Sequence, residues 1–90
     1  MTKKIIFEGR VQGIGFRYST KQLALGFDVI GWVKNLTDGT VELVLEGDDE
    51  EIDEFIVELV EESALAYHIK NHIVEEIPPL SGVKGFIISN

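Results

Sequence analysis

The chain passes from a predicted strand into a predicted helix through Gly9-Arg10-Val11-Gln12-Gly13-Ile14-Gly15-Phe16-Arg17. Before this stretch, the alternation of residues 4–11 places Ile5, Phe7, Gly9 and Val11 on one face, as in a half-buried strand. After it, residues 16–27 change to helical spacing. The apolar stripe of this helix consists of Phe16, Thr20, Leu23, Ala24 and Phe27. Because Gly13 and Gly15 interrupt both patterns, the stretch predicts a tight strand-to-helix turn.

The rest of the chain repeats the same alternation of strands and helices. Residues 29–36 and 40–46 have strand patterns, and Asp38-Gly39 between them is a strong hairpin signal. A second helix is predicted from Asp48, which forms a capping box with Glu51. Its apolar stripe consists of Ile52, Phe55, Ile56, Leu59 and Val60. Two further strands are predicted over residues 66–77 and 85–89, separated by Pro78-Pro79.

The predicted order is therefore β-α-β-β-α-β-β. Two split βαβ units of this kind predict a ferredoxin-like α/β sandwich of the α+β class. We expect an antiparallel sheet with two helices on one face and a short final strand. The length of 90 residues predicts a single domain over residues 1–90.

The glycine stretch has the features of an anion-binding site. Glycines at 13 and 15 let successive N–H groups turn inward, and the following helix adds free N–H groups and its positive dipole end. The planar fork of Arg17, on the first helical turn, can bind two phosphate oxygens at once. The stretch does not match a P-loop, because the required lysine is absent. It does not match a dinucleotide-binding fingerprint either, because Tyr18 occupies the position of the third glycine. From the residues alone, a plain tight turn with a solvated Arg17 remains an equal alternative.

The net charge of −8 comes from one segment of the chain. Residues 42–62 hold eleven acidic residues and no basic one, whereas residues 1–41 hold six basic and three acidic residues. The overall acidity argues against nucleic acid or an anionic membrane as a partner, because both require a basic surface. It does not argue against a phosphate at residues 9–17. There is no cysteine, secretion signal or membrane-spanning run, so we expect a cytoplasmic protein.

Three motifs in order resemble the acylphosphatase family. They are Val11-Gln12-Gly13-Ile14-Gly15-Phe16-Arg17, Gly31-Trp32-Val33-Lys34-Asn35 and Asp38-Gly39. The resemblance implies a ferredoxin-like enzyme that hydrolyses carboxyl-phosphate anhydrides. It assigns the phosphoryl group to Arg17 and to the backbone amides of residues 12–17, and the attacking water to Asn35. The implied catalytic residues are Arg17 and Asn35, and the implied substrate-binding residues are Gln12, Gly13, Ile14, Gly15, Phe16 and Arg17.

The chemistry of this reaction fits such a short list of residues. A carboxylate leaves without protonation, so no strong general acid is required. Catalysis is then mainly positioning and electrostatics, and we expect no cofactor and no metal. The expected partners are a small-molecule acyl phosphate and inorganic phosphate as product and competitor, with the protein acting as a monomer. His68 and His72 lie in a predicted strand without a nearby carboxylate ligand, so a metal role is a minor alternative.

Two other functions are compatible with this fold. The alternative to catalysis is a non-catalytic anion-binding or regulatory ferredoxin-like module, because fold does not fix function. Asn35 favours the enzyme, since phosphate binding alone has no use for an amide that orients water. The second alternative resembles the N-terminal acylphosphatase-like domain of hydrogenase-maturation proteins, and we expect a free-standing domain instead.

Overall fold

The computed structural model describes residues 1–89. The strands are β1 (Thr2–Gly9), β2 (Val29–Asn35), β3 (Val41–Gly47), β4 (Ile69–Glu76) and β5 (Phe86–Ser89). The helices are α1 (Phe16–Ala24) and α2 (Asp49–Val57). A π-helical turn, Glu58–Glu62, continues α2, and a 3₁₀ turn, Ala66–His68, precedes β4. This is the predicted element order, and the α+β ferredoxin-like class is confirmed.

The sheet has the strand order β4-β1-β3-β2-β5. The first four strands in the chain pair antiparallel, as predicted, but β5 runs parallel to β2. The expectation of an antiparallel sheet is therefore wrong for this pair, and the sheet is mixed. The reason lies in the connection: β4 ends at the edge where β1 and β2 begin. A chain that crosses there to the far side of the sheet must run alongside β2 in the same direction.

The core lies between one face of the sheet and the two helices. On the strands, the alternation places Ile5, Phe7, Val33, Val41, Leu43 and Leu45 inside, each fully buried. On the helices, the buried residues are Phe16, Thr20, Ala24, Ile52, Phe55 and Ile56. Burying one such large apolar side chain contributes about 1.5–3 kcal/mol. The ring centroids of Phe7 and Phe16 lie 5.3 Å apart, so the end of β1 packs against the start of α1.

The second helix begins where it was predicted, but not through a capping box. The N–H of Ile52 donates to the Asp48 carbonyl (3.0 Å), whereas the Asp48 side chain makes no capping hydrogen bond. The Glu51 carboxylate instead accepts the N–H of Asp28 (2.7 Å), so it connects α2 to the start of β2. The acidic residues of the first turn still favour this helix end through its dipole.

Candidate active site

The loop between β1 and α1 is fixed at its two ends. Val11 is fully buried on one side and Phe16 is 2% exposed on the other. Gly13 has φ +78° and Gly15 has φ +77°, and no residue other than glycine has a positive φ among those described. A Cβ at either glycine would meet nothing within 4 Å, so glycine is required here by backbone conformation and not by lack of space. The sign of φ therefore alternates through the loop, as in an anion-binding nest.

The amide groups of this loop are available to a ligand. Within residues 1–89, the N–H groups of residues 12–15 donate to no backbone carbonyl. Gly15 is the N-cap of α1, and the first helical hydrogen bond runs from Ser19 N–H to the Gly15 carbonyl (2.9 Å). The N–H groups of residues 16–18 are thus the unpaired donors of a helix N-terminus. The loop and the helix end together supply a run of N–H donors and the positive end of the helix dipole.

A cavity of about 200 Å³ lies beside these amides. It is lined by Val11, Gly13, Gly15, Phe16, Arg17, Tyr18, Asn35 and Ile88. Water occupies about 30 Å³ per molecule in the liquid, so the cavity has room for a tetrahedral oxyanion and a water beside it. Arg17 and Asn35, which are eighteen residues apart in the chain, meet here. Four of the six residues predicted to bind substrate line the same cavity.

The other two predicted residues, Gln12 and Ile14, do not line the cavity. The Gln12 side chain extends to the turn between β2 and β3, where its Nε2 donates to the carbonyls of Leu36 (2.7 Å) and Thr40 (2.8 Å). The Ile14 side chain is 39% exposed. For both residues, only the main-chain N–H could serve the site in the way predicted.

Arg17 is held by the C-terminal strand. Its Nη1 donates to the main-chain carbonyl of Ser89, the last residue of β5, over 3.1 Å. The guanidinium carries five N–H donors, so the remaining ones are available to an anion. Because this bond restricts the rotamers of Arg17 before any ligand binds, it preorganises the guanidinium at the cavity wall.

Asn35 is placed by the end of β2. It is the last residue of that strand and pairs with Val41 of β3. Asn35 lies on the same face of β2 as the buried Val33. It is half-buried and lines the cavity. Lys34, its neighbour, lies on the other face of the strand and is not among the residues that line this cavity; it lines a second surface cleft together with Asn35.

Three residues of the cavity wall, Val11, Tyr18 and Ile88, were not among the predicted site residues. Tyr18, 64% exposed, contributes from the first turn of α1, and Ile88, 38% exposed, contributes from β5. The position of Tyr18, one residue after Arg17, could have indicated it. Ile88 could not have been found without the parallel pairing that sets it beside Val33.

The acidic residues at the start of α2 lie away from this cavity. A second cavity, of about 730 Å³, is lined by Met1, Asp28 and the acidic residues at the start of α2. It adjoins the beginning of β1, whereas the glycine loop follows the end of β1. Eight extended residues span roughly 24 Å, more than two Debye lengths at about 0.1 M salt. The carboxylates at that end are therefore largely screened from the candidate site.

The carboxylate of Asp38 lies closer, in the turn that follows Asn35. Asp38 shares a surface cleft with Asn35, and hydrogen bonds from Thr40, first from its side chain and then from its N–H, lower the pKa of Asp38. Asp38 is therefore ionised at neutral pH and is no candidate for a general acid. Within the described residues, no three His, Cys, Asp or Glu side chains are placed to hold a metal ion. Nor is any helix over residues 1–89 long and apolar enough to cross a membrane.

Comparison with known proteins identifies the family of this chain. The sequence model of the acylphosphatase family matches residues 3–88. A Staphylococcus aureus acylphosphatase is 41% identical over 69 residues, covering 77% of this chain and 76% of that protein. The crystal structure of acylphosphatase from Bacillus subtilis superimposes with a TM-score of 0.86 at 34% identity, covering 99% of this chain and 98% of that one. T. kodakarensis HypF matches all of this chain (TM-score 0.85, 34% identity), but only 12% of that protein is covered. With its glycine loop, Arg17 and Asn35 assembled on this fold, the chain belongs to the acylphosphatase family.

Proposed function

We propose that this protein hydrolyses the carboxyl-phosphate bond of small acyl phosphates, releasing a carboxylate and inorganic phosphate. One observation carries the proposal: Arg17, Asn35 and the glycine loop line the same cavity. An anion-binding module would need the loop and the arginine. The neutral amide at the cavity wall is explained by a reaction that must also orient water.

The loop amides and Arg17 bind the phosphoryl group in this proposal. Charge spreads over the equatorial oxygens of a phosphoryl group during transfer, and fixed N–H donors stabilise it without reorganisation. The N–H groups of residues 12–17 and the free donors of Arg17 supply this stabilisation. Because the Ser89 carbonyl holds one guanidinium nitrogen, the fork is preorganised before the substrate arrives.

Asn35 orients the attacking water. Its side-chain carbonyl accepts a hydrogen bond from the water, which leaves an oxygen lone pair directed at phosphorus. The water oxygen bonds to phosphorus while the bond to the carboxylate oxygen breaks, and the electron pair leaves on the carboxylate. The water proton passes to a phosphoryl oxygen. An aspartate at this position would be a stronger base but would repel the dianionic substrate, so the neutral amide is the better compromise.

We propose a cytoplasmic monomer that acts without metal or cofactor and binds neither nucleic acid nor membrane. Inorganic phosphate, as the product, competes with substrate for the same donors. The net charge of −8 supports the exclusion of nucleic acid.

The direct test is hydrolysis of benzoyl phosphate by the wild-type protein in the presence of a chelator, with inorganic phosphate as competitor. We expect hydrolysis of benzoyl phosphate at a rate that the chelator leaves unchanged. We also expect inorganic phosphate to inhibit this hydrolysis competitively. Calorimetric binding of phosphate without any turnover would instead identify a non-catalytic anion-binding module. Loss of activity on chelation would contradict the metal-free mechanism.

A further inference from the structure

The side chain of Gln12 joins the two halves of the candidate site. Its Nε2 donates both hydrogens, one to the Leu36 carbonyl at 2.7 Å and one to the Thr40 carbonyl at 2.8 Å. Leu36 follows Asn35 directly, and Thr40 closes the turn between β2 and β3. A single side-chain amide on the anion-binding loop therefore contacts both ends of the turn that follows Asn35, the proposed water-orienting residue.

The turn does not need Gln12 in order to close. Leu36 N–H donates to the Thr40 carbonyl (2.9 Å), and Gly39 N–H donates to the Leu36 carbonyl (3.2 Å). The Asp38 carboxylate accepts the N–H (3.0 Å) and the hydroxyl (2.6 Å) of Thr40. Each carbonyl that Gln12 contacts already has a partner within the turn. The bonds from Gln12 therefore add a connection between loop and turn.

The middle of the anion-binding loop, in contrast, has few other side-chain contacts. Gly13 and Gly15 have no side chains, and a Cβ at either would meet nothing within 4 Å. Ile14 is partly exposed and has no hydrogen-bonding group. Between the buried anchors Val11 and Phe16, Gln12 is the one residue whose side chain can hydrogen-bond to another part of the protein.

We propose that Gln12 is a positioning residue that holds the anion-binding loop in register with Asn35. This inference rests on the proposed function, in which the loop binds the phosphoryl group and Asn35 orients the water. The two groups must be aligned for in-line attack, and a misplacement of about 1 Å can cost on the order of 10²-fold in rate. Both Nε2 hydrogens are bonded to the turn, so the Gln12 side chain has no free donor for the substrate. Gln12 therefore affects the reaction by positioning the loop and not by contacting the substrate.

The test begins with Gln12→Met, which keeps the length of the side chain and removes the donor. We expect kcat for benzoyl phosphate to fall about tenfold or more, while the Ki for inorganic phosphate changes about threefold or less. The matched control is Gln22→Met on the exposed surface of α1, for which kcat stays within about twofold. A Gln12→Met protein that is folded and has wild-type kcat would overturn the proposal, as would equal losses in kcat and phosphate affinity.

A double-mutant cycle with Asn35→Ala separates positioning from a merely structural role. If Gln12 acts by aligning the loop with Asn35, its removal costs much less when Asn35 is already absent. Multiplying effects in the double mutant would show that Gln12 acts independently of Asn35. If the wild-type protein hydrolyses no acyl phosphate, the proposed function fails first, and the inactivity of every variant distinguishes that outcome from a failure of the Gln12 proposal.

Gln12→Glu provides a second variant in case Gln12→Met does not fold. An ionised glutamate directs an oxygen at two carbonyls and can donate nothing, whereas the protonated acid regains one O–H donor. We therefore expect kcat of Gln12→Glu, relative to wild type at each pH, to rise as the pH falls and the carboxyl gains its proton. A ratio that stays constant with pH would contradict the role of donation by Gln12.

Discussion

Arg17 Nη1 and the Ser89 carbonyl oxygen lie 3.1 Å apart, although the two residues are separated by 72 positions in the chain. The contact joins the first turn of α1 to the end of the last strand. It exists because β5 runs parallel to β2 and so ends at the edge of the sheet where β2 presents Asn35. The last strand of the fold thereby supports the residue proposed to bind the phosphoryl group.

Replacing Arg17 by lysine should weaken phosphate binding and slow turnover. Lysine keeps the positive charge but lacks the planar fork, so it cannot bond to Ser89 and grip two phosphate oxygens together. We expect Ki for phosphate to rise about tenfold or more and kcat to fall on the order of 10²-fold. Steady-state kinetics with benzoyl phosphate measure both. Arg10→Lys, on the exposed side of the loop, is the matched control, and equal effects of the two substitutions would contradict a specific role for Arg17.

Removing the anchor of β5 should affect both stability and phosphate binding. Phe86 is half-buried and packs against Phe55, with ring centroids 6.4 Å apart. Phe86→Ala should lower the free energy of unfolding by about 2 kcal/mol and loosen the strand that holds Arg17. Urea denaturation and the Ki for phosphate test the two effects. Ile87→Ala, at a residue 49% exposed on the opposite face, should change neither measurably. An unchanged Ki in Phe86→Ala would show that Arg17 does not depend on β5.

A side chain at Gly15 should strain the loop without any clash. A φ of +77° is unfavourable for alanine, and adopting it costs roughly 1–2 kcal/mol. The added Cβ itself would meet no atom within 4 Å. Relief of the strain turns the N–H groups away from the cavity, so we expect turnover to fall about tenfold or more as well. Gly26→Ala is the matched control, because Gly26 has no positive φ and its nearest neighbour is 3.5 Å from the added carbon. Full activity of Gly15→Ala would argue against an anion-binding role of the loop.

The protein should lose stability as the pH falls through the acidic range. Hydrogen bonds lower the pKa of Asp38 below its ordinary value of 3.8, chiefly from the Thr40 side chain. Other hydrogen bonds, chiefly the one from the Leu80 N–H, lower the pKa of Glu46 below its ordinary value of 4.5. A carboxyl whose pKa is lower in the folded state contributes stability above its ordinary pKa, and this contribution is lost as the pH falls through the folded value.

Thr40→Val tests the Asp38 part of this expectation. Removing the hydroxyl that donates to Asp38 should reduce the difference in unfolding free energy between pH 7 and pH 3, as measured in urea at each pH. The exposed Thr37→Val should leave that difference unchanged. A larger pH dependence in Thr40→Val than in wild type would reverse the predicted sign.

Local patterns predicted the elements and the position of the site. The alternation around Ile5 and Phe7 identified β1, and the helical stripe beginning at Phe16 identified α1, because both patterns report burial directly. The glycines marked the positive-φ positions of the loop, and the resemblance pointed to Arg17 and Asn35. The structure brings these two residues to one cavity, while their catalytic roles remain predictions.

Contacts between distant segments could not be predicted in this way. The bonds of Gln12 to the β2–β3 turn and of Arg17 to Ser89 depend on the relative placement of segments that are far apart in the chain. The parallel pairing of β5 follows from the edge at which β4 ends, which no local pattern reports. The capping box at Asp48 was wrong because Glu51 bonds to Asp28, a partner twenty-three residues away.

The kinetics of Asn35→Ala test the account most directly, with Asn71→Ala on the exposed face of β4 as the matched control. If Asn35 orients the attacking water and takes no part in phosphate binding, kcat for benzoyl phosphate should fall on the order of 10²-fold or more while Ki for phosphate changes about threefold or less. Asn71→Ala should stay within about twofold of wild type in both constants. An Asn35→Ala protein with near wild-type kcat would contradict the account.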